Sequence, residues 1–132
     1  MASGPSVTSA RAVLDMLLAS DVDVRLWTVA PAFDGTGGTQ CTGGGYIPAV
    51  LTANPSVAGS GGQIAKATNN LSFVFSNMPT ASSGVVAISV HTHSTGDLVW
   101  LNDSWTSPVS WAVGESPQFP AGAFAVAIVP VS

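Results

Sequence analysis

From Val22 onward the apolar residues of this chain recur at every second position in short runs, each ended by a cluster of Gly, Pro, Asn or Ser. A period of two marks a strand, whose side chains point alternately to the two faces of a sheet. In the first run Val22, Val24, Leu26 and Thr28 share one face, and Asp23, Arg25 and Trp27 the other. The alternation resumes over 46–51, where Pro48 marks an edge or bulged strand. It continues over 63–68 and is clearest at Leu71, Phe73 and Phe75 against Ser72 and Val74. Further strands are expected over 85–93, 98–101, 110–113 and 123–131, with turns at 57–62, 81–84, 95–97 and 114–121. No helical pattern recurs between these runs, which argues against an α/β fold. About seven or eight short strands at this spacing predict a mainly β domain, a β-sandwich or jelly roll.

One short N-terminal helix is expected ahead of the strands. Ala10, Val13, Leu14, Leu17 and Leu18 recur at helical spacing, Ser9 is placed to cap the N-terminus, and Asp21 marks the exit. Residues 1–8 are small and polar, include Pro5, and carry too little apolar surface to bury. They read as a flexible arm that a partner would order, leaving 9–132 as a single domain. The stretch from Pro31 to Gly45 holds six glycines and reads as a long loop of the kind that carries contacts.

Only 8% of the 132 residues are charged, against about 25% in ordinary soluble domains. A surface with so few charges is poorly protected against association, so much of it is expected to be covered by partners or by copies of the chain. Three Lys and Arg against seven acidic residues, a net charge of −4, leave little to neutralise phosphate. Neither nucleic acid nor an anionic membrane is therefore an expected partner. The longest apolar run, 123–129, falls far short of the roughly 20 residues that span a bilayer. Cys41 is the single cysteine, so the chain is not a disulfide scaffold.

Few residues invite a catalytic reading. His91 and His93 lie two apart on an expected strand, so both rings project from one face and could share a metal. With Asp97 they resemble the first metal motif of the cupin family, and Gly114, Pro120 and Gly122 match the spacing of its second. The histidine of that second motif falls on Ala125, and the glutamate expected in the first is Asp97. With no third imidazole, the pair reads as packing or hydrogen bonding at an interface, and no cofactor is expected. The Gly-rich loop lacks the lysine and following helix of a phosphate cradle. Cys41 has no neighbouring cation in sequence to form a thiolate, and Ser104 no nucleophile elbow around it. Trp27, Trp100, Trp105 and Trp111 suggest a sugar-stacking face, but core and interface packing accounts for them as well.

The order of these pieces resembles a family of small tailed-bacteriophage virion proteins, described as minor tail, tail-fibre-like or capsid decoration proteins. The similarity runs from the helix ARAVLDMLL and the strand VDVRLWT through Gly43–Tyr46, NLSFVF, HTH and STGDLVWL to AVGESPQFPAGAFAVAI. The resemblance implies a non-enzymatic protein of the virion, assembled in the host cytoplasm. The favoured role is a cement protein that clamps the major capsid protein on the outer head, acting as a homotrimer. A minor tail or tail-tip component is the alternative, and a cupin-like metal enzyme the alternative from another class. The expected contacts are Met1, Pro5, Val7, Phe33, Tyr46, Trp100, Trp105 and Trp111, within the arm, the loop and the tryptophan region.

Overall fold

A computed structural model of the protein describes residues 2–131. The chain is mainly β, with antiparallel sheets and one short N-terminal helix. Helix α1 (Val7–Leu17) leads into β1 (Val22–Val29), β2 (Thr39–Gln40), β3 (Ala49–Leu51), β4 (Val57–Ala58) and β5 (Ala65–Thr68). There follow β6 (Phe73–Val74), a single 3-10 turn (Ser82–Gly84), β7 (Ala87–Thr92), β8 (Leu98–Asn102), β9 (Gln118–Phe119) and β10 (Ala125–Ile128).

β1 organises the largest sheet. It pairs with β7 from Val22 to Trp27 along one edge, so β3 (against Val22–Val24) and β2 (against Trp27 and Val29) divide the other. Between them Leu26 has no strand partner on that edge. The Tyr46 hydroxyl fills the gap, accepting the Leu26 N–H at 3.0 Å, while the Cys41 N–H donates to the Leu26 carbonyl at 2.9 Å. Every backbone group of a buried strand needs such a partner, because an orphaned one costs its full desolvation.

The first run alternates as its period demands. Val22, Val24 and Leu26 are buried, and Val22, with Leu51 and Val90, shares a narrow gap with Phe124 and with Ala67 and Val126 of the smaller β10-β5-β4 sheet. α1 lies over β5 and contributes Ala10 and Leu14, both fully buried. Its cap is Ser6, whose hydroxyl accepts the Ser9 N–H, so the helix starts earlier than Ser9 and takes up residues 7 and 8 of the expected arm. Ser3 makes two backbone hydrogen bonds with Val131, each 2.6 Å, so this part of the N-terminal segment pairs with the end of the chain.

Aromatic rings join the small β6-β9 pair to the rest. Phe73 stacks on Phe119 with centroids 5.0 Å apart, Phe75 meets both edge-on, and Tyr46 stacks on Phe75 at 5.9 Å. Leu71 departs from the expected alternation and is exposed, because the ladder there holds only Phe73 and Val74. Buried Asn69 instead sets the geometry of this corner. Its amide nitrogen donates to the Leu71 and Pro120 carbonyls, and its side-chain oxygen accepts the Phe124 N–H. The expected strand at 110–113 is also absent: the Trp111 carbonyl accepts the Ser82 N–H and the Trp111 N–H donates to Ser82 Oγ, instead of joining a ladder.

Tyr46→Phe keeps the ring stacked on Phe75 but removes the acceptor of the Leu26 N–H. It should lower unfolding stability by about 1–3 kcal/mol, measured by urea denaturation. A variant as stable as the original would contradict the role given to this hydroxyl.

Candidate functional site

The outward face of β1 and β7 carries the polar residues most suggestive of chemistry. The Trp27 indole N–H donates to Ser89 Oγ at 2.7 Å, and Ser89 Oγ lies 2.8 Å from His91 Nε2. His91 Nδ1 lies 3.0 Å from the Gly96 carbonyl. That carbonyl can only accept, so Nδ1 carries the proton, Nε2 is the acceptor, and the Ser89 hydroxyl donates to it. Trp27 and His91 also stack, with centroids 6.3 Å apart. Burial holds the His91 pKa below its ordinary 6.5, only partly opposed by the bond to Gly96.

The two histidines have separate partners. Both ring nitrogens of His91 are engaged and its side chain is 5% exposed, while half-exposed His93 turns to Asp23, Nδ1 to Oδ1 at 2.7 Å. Asp97 is held within its own turn, accepting from the Thr95 hydroxyl. Among the described residues no three His, Cys, Asp or Glu side chains converge. Nor can the Ser89–His91 contact act on a substrate, since Ser89 is 1% exposed. Ser89 was absent from the sequence expectations, although its position two before His91 puts both on one strand face.

The expected contact residues divide by burial. Met1 lies outside the described residues. Pro5, Val7 and Phe33 are exposed, Phe33 at 71%. Tyr46 and Trp111 are core residues and offer no surface: the Tyr46 hydroxyl is spent on β1, and the Trp111 indole N–H donates to the Thr80 carbonyl at 2.9 Å. Trp100 and Trp105 are half-buried and line a cavity of about 320 Å³ over Ile88, Val90, Phe119 and Val126. Cys41 is buried as well, and burial pushes its thiol pKa up, the opposite of what a nucleophile needs.

Several large apolar side chains stand on the outside. Met16, Phe33, Ile47, Leu71, Val113 and Val131 are each more than 60% exposed and come from the helix, the glycine loop, turns and the chain end. Few charges stand between them. Such a surface suits burial against other protein.

The buried histidine gives the fold a pH dependence of definite sign. Because its folded pKa is depressed, the unfolded chain binds a proton near pH 6.5 that the folded chain refuses. The stabilisation is present above that pH and is lost as pH falls through 6.5 towards the folded pKa. Urea denaturation between pH 7.5 and pH 5 should show this loss, and His91→Gln should flatten it. Parallel profiles for the two proteins would contradict the buried, neutral state of His91.

Residues 6–127 match the family described as podophage GP4 fiber I protein gp80. No curated protein and no solved structure matches the chain. The family match covers the helix, the organising strand, the aromatic joint and the tryptophan segment. The chain belongs to the podophage GP4 fiber I protein gp80 family, and so to the structural proteins of the bacteriophage particle.

Proposed function

We propose that this chain is a structural subunit of a podophage fibre, which holds its place by packing against copies of itself and adjoining virion proteins, without turnover. The observation that carries the reading is the family match, which spans nearly the whole domain and is described as a fibre protein. That description favours the fibre over the outer-capsid cement role expected from the sequence. The major capsid protein would be the partner only under the cement role.

The surface supports assembly in the same direction. Burying apolar area is the main favourable term in association, and charged groups at the centre of an interface oppose it. Exposed Phe33, Met16 and Leu71 supply the first, and the scarcity of Lys, Arg, Asp and Glu removes much of the second. Closed cyclic assembly, with a trimer as the expected form, would cover such residues on every subunit equally.

Sedimentation of the purified protein should show a discrete oligomer at micromolar concentration that weakens when Phe33 and Leu71 are both changed to Ser. A monomer at all concentrations would overturn the self-packing part of the reading. Neither change touches the core, so the folded spectrum should be retained.

A further inference from the structure

Next to the tryptophan cluster, the 3-10 turn at Ser82–Gly84 and the segment 103–110 enclose a wide-mouthed cleft of about 510 Å³, within the range of about 300–1,000 Å³ typical of small-ligand sites. Trp105 forms one wall and separates this cleft from the cavity beneath Trp100. Its lining is dominated by hydroxyls, with one carboxylate at Asp103.

These hydroxyls divide into two sets. Ser82 and Ser107 are spent on shape: Ser82 Oγ accepts the Trp111 N–H, and Ser107 Oγ both donates to the Val109 carbonyl and accepts the Val109 N–H. Ser104 is oriented by its backbone, whose N–H donates to Asn102 Oδ1 at 3.1 Å. Among the described residues, the hydroxyls of Ser83, Ser104, Thr106 and Ser110 and the carboxylate of Asp103 have no protein hydrogen-bond partner. The Trp105 ring packs against Trp111 and Phe119, each with its centroid 6.5 Å away.

We propose that this cleft binds a neutral saccharide, with Trp105 against a sugar face and Asp103 and the free hydroxyls on its rim of hydroxyl groups. A sugar ring has C–H faces that pack on an aromatic plane and an edge of groups that both donate and accept. Serine and threonine hydroxyls share that ambivalence, and a carboxylate accepts strongly from sugar hydroxyls. No Lys, Arg or His lines the cleft, and its only charge is negative, so a phosphorylated or acidic ligand would be repelled. One carboxylate is too few to hold a calcium ion, which takes six to eight oxygens. The proposal goes beyond the fibre reading and holds in whatever part of the particle the chain sits.

The probes are maltotetraose, chitotetraose and a galactose tetrasaccharide, with a tetramer of galacturonic acid as the acidic comparison. Binding is read by saturation-transfer NMR and by tryptophan fluorescence of the intact chain. At least one neutral tetrasaccharide should bind saturably and the acidic one should not. Asp103→Asn should weaken that binding about tenfold, the effect of losing a charged hydrogen bond, and Trp105→Phe should weaken it while keeping the core filled. Asp97→Asn, in a turn outside the cleft, should leave it unchanged. Failure of all three neutral probes would overturn the proposal, as would binding that survives Asp103→Asn and Trp105→Phe together.

Discussion

The structure depends on how the backbone of β1 is satisfied. A strand buried on one face and half-covered on the other needs hydrogen-bond partners along both edges. β7 supplies one complete edge, whereas the other is assembled from β3, β2 and the Tyr46 hydroxyl at the gap between them. The long glycine-rich connection makes this assembly possible. Gly44 and Gly45 have positive φ and pass close to Asn77 and Pro79, where a Cβ at Gly44 would sit 2.7 Å from the Asn77 carbonyl oxygen. The chain can therefore turn tightly just before Tyr46 and bring its ring into the core.

From that strand the two faces take different roles. The apolar face builds the sandwich with β5 and β10, and the Phe73, Phe75 and Phe119 rings carry the same core to the small β6-β9 pair. The other face holds Trp27, Ser89 and His91 in a hydrogen-bonded series in which every donor has an acceptor, and a satisfied buried network of this kind fixes one packing. With Trp27, Ser89 and His91 spent on one another, the surface open to partners lies at the periphery: the exposed apolar side chains and the cleft beside Trp105.

Much of this was legible in the sequence where local pattern and tertiary fate agree. β1 announces itself by period two, β7 and β8 as apolar runs either side of the hairpin-like turn at 95–97, and α1 by its apolar spacing. The two-residue strands β2, β4, β6 and β9 are too short to show a period, so they were read as loop, turn or parts of longer strands. Ser6 and Ser9 both suit a cap, and only the Ser9 N–H donating to Ser6 decides between them. Tyr46 and Trp111 were expected at an interface because amphipathic aromatics serve there. Nothing local reveals that the Tyr46 hydroxyl completes a strand 20 residues away or that the Trp111 indole reaches Thr80. The cleft was hidden for the same reason, since Ser82 and Ser83 meet Ser104 and Ser110 only in the fold.

The proposed packing into a fibre accounts for these surfaces, and the place of the chain in the particle tests that proposal most directly. Electron cryomicroscopy of purified particles, at a resolution that distinguishes this fold, should find its density in the fibre, with exposed residues such as Phe33 and Leu71 buried between subunits. Density confined to the outer surface of the head, or particles that lack the chain altogether, would contradict it.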